Sequence, residues 1–220
     1  ETGCSLHVVH VSSGGGVALV AEARARGVDV TCEVCPHHLV LCDEDHERLG
    51  AVAKCAPPLR PRSECDALWA ALAGGDVAMV SSDHSPSPPE LKADEDHFAV
   101  WGGIAGAQSS LELLLGEGVH AGRVELELLA EVFAAAAARR FGLRGKGLIE
   151  PGADADMALV DLASSRVLGA AELRSRHRIS PYVGREIRGR VVRTVLRGTT
   201  VARDGEVVGA PTGRLLRPGR

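Results

Sequence analysis

The sequence has no apolar run that could cross a membrane and no leader-like start. Apolar residues make up 45% of the chain, but charged residues interrupt them well before the ~20 consecutive positions that a membrane helix needs. The first residues do not form a basic region followed by an apolar stretch, which is the pattern of a secretory signal. We therefore expect a soluble, cytoplasmic protein with no membrane partner.

An excess of positive charge is missing as well. The chain carries 25 lysines and arginines against 29 aspartates and glutamates, a formal net charge of -4. General nucleic-acid binders present a basic surface, so we expect no nucleic-acid partner. The last ~45 residues are rich in arginine, which would suit a phosphate-binding patch, but interspersed acidic residues favour a solvated sheet face.

Clustered cysteines are also absent. The six cysteines, at positions 4, 32, 35, 42, 55 and 65, do not form the paired clusters of a zinc ribbon. A chain with this much apolar residue content needs no disulfide framework. Cys32 and Cys35 have the spacing of a redox pair, but such pairs normally open a helix and this one lies inside a strand-like run. We expect reduced thiols.

Four short apolar runs, each ending in polar or proline-bearing residues, dominate the first part of the chain. They cover residues 6–13, 28–35, 51–55 and 77–80, and helical or loop segments separate them. Strands that alternate with such crossovers predict an α/β fold with a parallel sheet. The carboxyl ends of all four strands would then gather at one edge.

The character of the chain changes after a helix predicted over 124–140. Residues 157–160 predict a short strand, and 191–196 is expected to pair with 200–208, whose Asp204-Gly205 is a hairpin-turn pair. We therefore divide the chain into an α/β domain over 1–145 and part of a small β domain over 146–220.

His10, His37 and Asp83 occupy equivalent places, each at the carboxyl end of a predicted strand. Alone, each histidine could be an ordinary hydrogen-bonded side chain and Asp83 could cap the next turn, but parallel strands would bring the three together. Two imidazoles and a carboxylate suit zinc or a similar divalent ion. Such an ion would activate water, and Asp83 could pass the proton to a leaving nitrogen. His38 and His84 could support the ligands or contact substrate.

Several motifs resemble the cyclic amidohydrolases. They are HVVHVSS (7–13), CEVCPHH (32–38), KCAPPLR (54–60) and SDHSP (82–86). The segments SPSPPELK (85–92), WGGIAG (101–106) and SPYVGR (180–185) resemble the allantoinases in particular. The resemblance extends nearly from end to end and includes PGADAD (151–156), where the chain of that family returns to its β-sandwich.

The resemblance implies the C-terminal portion of a longer enzyme: strands five to eight of a (β/α)8 TIM-type barrel, with the C-terminal part of a small β-sandwich. His10 and His37 would be metal ligands, and Asp83 both a ligand and the general base. Ala56, Ser85 and Gly103 would hold the substrate. The family opens the hydantoin ring of allantoin to allantoate with a hydroxide that bridges two metal ions, zinc or else iron, manganese or cobalt, and it forms homotetramers.

Some elements of the family pattern are not in this sequence. His38 stands where the family usually has tyrosine. The family also uses a His-x-His pair and a carboxylated lysine; there is no His-x-His here, and Lys54 follows the wrong strand. We therefore expect the isolated chain to be inactive. Two alternatives remain: a dihydropyrimidinase or hydantoinase, and a non-catalytic scaffold of the superfamily, which would have no use for the metal ligands.

Overall fold

Three parallel strands form the first sheet in the computed structural model, which describes residues 2–218. They are β1 (Leu6–Val8), β2 (Val30–Val34) and β3 (Met79–Val80), in the order β1-β2-β3. His7 lies opposite Thr31, and Val34 opposite Val80. The predicted α/β class and the parallel sheet are confirmed, although the strands are shorter than the apolar runs that predicted them.

Two amphipathic helices, α1 (Gly14–Ala25) and α4 (Arg62–Ala73), pack against each other beside this sheet. The Ser13 hydroxyl caps α1 by accepting a hydrogen bond from the Gly16 N–H at 3.2 Å. A side chain at Gly14 would place its Cβ 2.7 Å from the Cβ of Ala67. Glycine is therefore needed where the start of α1 meets α4.

The connection between β2 and α4 differs from the prediction. It contains α2 (Pro36–Val40), α3 (Asp43–Leu49) and a 3-10 turn (Gly50–Ala53). The strand predicted over 51–55 is therefore wrong, and the described sheet has three strands. Gly50, at φ 62°, turns the chain out of α3, and a short buried apolar run is compatible with a helical turn as well as a strand.

A further helical region follows β3. It contains a 3-10 turn (Pro89–Lys92), α5 (Ser110–Leu114) with a π-helical turn (Leu115–His120), and α6 (Leu126–Ala130), which a π-helical segment (Glu131–Ala135) joins to α7 (Ala136–Arg140). The helix predicted over 124–140 is confirmed apart from its first residues. No helix within residues 2–218 is both long and apolar enough to cross a membrane.

The second sheet is antiparallel. Its strands are β4 (Met157–Val167), β5 (Glu186–Leu196), β6 (Thr199–Arg203) and β7 (Glu206–Val207), in that order, and a 3-10 turn (Ala170–Glu172) follows β4. The predicted pairing of the last strands is confirmed by the β5–β6 ladder. Asp204 and Gly205 have φ values of 51° and 83°, which is the geometry of a two-residue hairpin turn.

The second sheet packs directly on the helical region. A Cβ at Gly189 would lie 3.1 Å from the Cβ of Leu115. The buried Glu112 carboxylate accepts hydrogen bonds from Arg166 at 2.8 Å and from the Val191 N–H at 3.0 Å. Residues on both sides of position 145 thus contribute to one core, and the division into 1–145 and 146–220 stays a prediction.

Candidate metal and substrate site

The carboxyl ends of the three parallel strands carry the predicted ligands at one edge of the sheet. His10 follows β1, His37 lies in the first turn of α2 just after β2, and Asp83 follows β3. Backbone hydrogen bonds hold these ends side by side: Val11 N–H to Glu33 O at 2.9 Å, and Ser81 N–H to Val34 O at 3.1 Å. The structure therefore gives the three residues the common edge that the sequence predicts.

His10 and Asp83 share an uncommon backbone conformation. Their φ values are 41° and 40°, in the left-handed region that residues other than glycine seldom adopt. Such conformations cost free energy and concentrate at functional sites. His10 and Asp83 thus have the same left-handed φ at the ends of two different strands.

His37 is the most unusual side chain at this edge. Its ring is 1% exposed, and neither Nδ1 nor Nε2 has a hydrogen-bond partner among the described residues. Burial, with smaller contributions from His38 and His10, lowers the pKa of His37 to about 3, so the ring is neutral. Buried polar atoms without partners call for an explanation. A neutral imidazole with a free lone pair is the form that binds a metal ion.

His38 lies against His37, with ring centroids 4.2 Å apart. Its Nε2 is 3.0 Å from the Pro57 carbonyl oxygen, while its Nδ1 is buried without a partner. Burial lowers the pKa of His38, the charge of His10 lowers it further, and that of Asp83 raises it. His10 and Asp83 therefore both lie close enough to this pair of rings to act on it electrostatically.

A cysteine joins the two buried histidines. Within residues 2–218, Cys35, His37 and His38 each contribute a donor atom that lies within 4.8 Å of the other two. His10 and Asp83 are outside this group of mutually close donors. The sequence analysis missed Cys35, although the Cys-x-His-His spacing was the signal that could have identified it.

Ser85 and Gly103, predicted to hold substrate, are in contact. Ser85 N–H bonds to Ile104 O, and Gly103 N–H to Lys54 O, each at 2.9 Å. A Cβ at Gly103 would lie 2.5 Å from the Ser85 Oγ, so glycine is needed there. The exposed Ala56 lies two residues beyond Lys54. The three predicted contacts are therefore on adjoining loops beside the ligands.

His84 and His7 have other partners. His84 is exposed, and its Nδ1 accepts a hydrogen bond from the Ala107 N–H at 3.2 Å. His7 contacts Thr31 Oγ1 at 2.7 Å and Glu33 Oε2 at 3.1 Å. His84 thus holds a neighbouring loop, and His7 contacts two side chains of β2.

Tyr182 is a residue to which the sequence analysis assigned no role. It is fully buried, its hydroxyl has no partner among residues 2–218, and burial raises its pKa, with smaller effects from Cys55 and Cys35. The segment between β4 and β5 therefore contributes a side chain to the core that both sheets share. Tertiary packing, which no local pattern shows, places it there.

These observations fit a divalent ion. A buried neutral imidazole without partners, a second histidine and a carboxylate at one sheet edge make a nitrogen and oxygen donor set that zinc and similar ions accept.

Comparison with known proteins agrees with this chemistry. The model of the Amidohydrolase family matches residues 3–201. An allantoinase of Rubrobacter xylanophilus is 61% identical over 220 residues, which are 100% of this chain and 48% of that protein. An allantoinase of Solibacter usitatus is 50% identical over 218 residues, 99% of this chain and again 48% of that protein. The chain thus spans about half the length of the curated relatives it matches.

Solved structures of related enzymes share the fold. The L-hydantoinase (dihydropyrimidinase) of Arthrobacter aurescens superposes with a TM-score of 0.92 at 38% identity, covering 94% of this chain and 47% of that one. The D-hydantoinase (dihydropyrimidinase) of Thermus sp. superposes with a TM-score of 0.93 at 31% identity, covering 99% and 49%.

Proposed function

The chain belongs to the amidohydrolase family, and we propose that it is the C-terminal part of an enzyme that hydrolyses the hydantoin ring of allantoin to allantoate. The allantoinases that match it over 99% or more of its length, at 61% and 50% identity, support this substrate. The reaction breaks an unactivated ring amide, so it needs an activated water, a proton acceptor and a site that orients the ring.

His10, His37 and Asp83 would hold the metal. The observation that carries this assignment is His37, a neutral and buried imidazole whose two nitrogens have no partner among residues 2–218. When bound, a divalent ion lowers the pKa of its water from 15.7 to about 7 and so provides a nucleophile at neutral pH. Low exposure of His37 and His38 keeps bulk water out of this edge of the site.

Asp83 would be the general base and then the general acid. It leaves β3 in a left-handed conformation, and its charge acts on the buried Cys35, Cys55 and His38. From this position its carboxylate accepts the proton of the attacking water and delivers it to the ring nitrogen as the amide bond breaks. Ser85, Gly103 and the backbone near Ala56 would hold the ring in place.

We extend the proposal to the complete architecture. The three parallel strands and their helices would be part of the C-terminal half of a (β/α)8 barrel, and the antiparallel sheet part of a β-sandwich. The ligands of a second ion, including the carboxylated lysine, would come from residues that this sequence does not contain, so the 220-residue chain alone would be inactive. Two zinc ions per site and a homotetramer stay predictions.

The experiment is a chimera. Residues 2–218 replace the corresponding segment of the Rubrobacter xylanophilus allantoinase, which is 61% identical over this region, and allantoate formation is measured with added zinc, manganese or cobalt. We expect turnover in the chimera, loss of turnover with Asp83→Asn, and none in the isolated chain. A folded, metal-loaded chimera without activity would contradict the proposal.

A second substrate class has its own support. The solved structures that match the chain are hydantoinases and dihydropyrimidinases, at 31–38% identity for the two described above. The same chimera distinguishes the two, because its turnover of allantoin can be compared with that of dihydrouracil and of unsubstituted hydantoin. We expect allantoin to have the highest kcat/KM, and a clear preference for dihydrouracil would assign the chain to the other class.

A further inference from the structure

We propose that Cys35, His37 and His38 form a binding site for a single zinc ion, distinct in composition from the set of His10, His37 and Asp83. The donor atoms of the three residues lie within 4.8 Å of each other. All three side chains are buried, with exposures of 0%, 1% and 3%. All three donor residues belong to this chain. Zinc binding at this site would be a property additional to the proposed hydrolysis.

The hydrogen bond of the His38 ring leaves its other nitrogen available to a metal ion. Its Nε2 lies 3.0 Å from the Pro57 carbonyl oxygen, an acceptor, so Nε2 carries the proton and Nδ1 keeps its lone pair. That Nδ1 is buried and has no other partner among the described residues. A backbone carbonyl that fixes the far nitrogen of the ring is the usual support of a metal-bound histidine.

His37 provides a second nitrogen at no cost in broken hydrogen bonds, since neither of its ring nitrogens has a partner in the described part of the chain. Cys35 provides the sulfur from the last position before α2, where an extended backbone (φ -108°, ψ 149°) turns into the helix through Pro36. One thiolate and two imidazoles form a set that favours zinc over harder ions such as magnesium or calcium.

Zinc binding by Cys35 releases a proton. The S–H bond of Cys35 breaks, a zinc–sulfur bond forms, and the proton passes to the buffer, because only the thiolate is a ligand. A fourth ligand would complete the tetrahedral coordination that zinc prefers.

The two donor sets share His37. A zinc ion held by Cys35, His37 and His38 therefore removes His37 from the set that would serve hydrolysis. Cys35 lies two residues before His37, at the N-cap of α2, so the two donor sets meet at the start of this helix. Bound zinc would be exchanged between them rather than held by both.

Cobalt substitution of the 220-residue chain tests this proposal. Cobalt(II) replaces zinc, and a thiolate ligand produces an intense charge-transfer absorption in the near ultraviolet that nitrogen and oxygen ligands do not produce. The matched control for Cys35→Ser is Cys32→Ser. Both cysteines are 0% exposed and lie at β2, but the Cys32 sulfur faces the Asp76 carbonyl at 3.8 Å, away from the ligands.

We expect the charge-transfer band in the native chain and in Cys32→Ser, and its loss in Cys35→Ser. The zinc affinity of Cys35→Ser should be lower than that of the native chain by more than about tenfold, because the loss of even a group that only supports a ligand typically costs 10- to 100-fold in affinity. Cobalt bound without this band, or a band that persists in Cys35→Ser, overturns the proposal, as does a failure to bind. Where Cys35→Ser does not fold, a native chain that binds cobalt without the band still overturns the proposal, whereas the assignment of the sulfur to Cys35 rests on the folded variant. A native chain that binds cobalt without the band leaves the assignment of His10, His37 and Asp83 intact.

Discussion

Replacing His37 with phenylalanine should change stability in opposite directions with and without metal. Without metal, the buried ring has two polar nitrogens that find no partner within residues 2–218, and a buried polar group left unsatisfied costs about 1–3 kcal/mol. Phenylalanine fills a similar volume without that cost. We therefore expect His37→Phe to raise the free energy of unfolding of the metal-free chain by an amount in this range.

With zinc the order should reverse. A ligand that binds only the folded state stabilises it by about 2.7 kcal/mol when its free concentration is 100 times the Kd. The native chain should gain this stabilisation and His37→Phe should gain little of it, because His37 belongs to both candidate donor sets. Zinc therefore makes the native chain the more stable of the two, or at least removes the advantage of the variant.

Urea unfolding in chelator and in zinc measures both effects, with the free energy extrapolated to zero denaturant. His97→Phe is the control, since that histidine is exposed and surface substitutions usually change stability by no more than about 0.5 kcal/mol. The reasoning is refuted if His37→Phe destabilises the metal-free chain by more than about 1 kcal/mol, or if zinc stabilises the native chain and the variant equally.

Three further predictions concern pH, a buried hydroxyl and a loop contact. The pKa of His37 falls from 6.5 to about 3 on folding, so between these pH values the unfolded chain binds a proton that the folded chain does not. The free energy of unfolding of the metal-free chain should therefore decrease as the pH is lowered from 6.5 towards 3, by up to about 1.4 kcal/mol per pH unit. Urea unfolding at several pH values should show a shallower slope for His37→Phe. Tyr182→Phe should not lower stability, since the buried hydroxyl has no partner among the described residues; a loss above about 1 kcal/mol in urea unfolding would reveal one. Gly103→Ala should cost about 1–3 kcal/mol, because its Cβ would lie 2.5 Å from Ser85 Oγ, whereas Gly102→Ala meets nothing closer than 3.7 Å and should unfold at nearly the native urea concentration.

The sequence was sufficient to predict that the three proposed ligands lie along one edge of the sheet. Each predicted strand stops at an abrupt change from apolar to polar residues, and that change is visible around His10, His37 and Asp83. Parallel pairing then follows from the alternation of strands and helices. For this reason the common edge could be predicted without any knowledge of side-chain positions.

Local conformation was harder to predict. Pro36 was expected to end a strand, which it does, but it also opens α2, because proline suits the first position of a helix. The run at 51–55 forms a 3-10 turn at its start rather than a strand. A short buried apolar run satisfies either structure, and only the tertiary environment decides between them.

The surroundings of individual side chains could not be predicted from the sequence. The unpartnered nitrogens of His37 and the approach of Cys35 depend on which groups surround them after folding. Tyr182 comes from a segment about 145 positions after His37 in the chain. Such contacts arise from long-range packing, which leaves no periodic pattern along the chain.

The central claim is that His10, His37 and Asp83 hold a catalytic metal ion at the carboxyl edge of the parallel sheet. Anomalous X-ray scattering at the zinc edge, from crystals of the active chimera, tests it most directly. We predict a peak within bonding distance of all three side chains, about 2.0–2.2 Å from their nitrogen and oxygen atoms. A peak elsewhere in a chimera that turns over allantoin would contradict the claim.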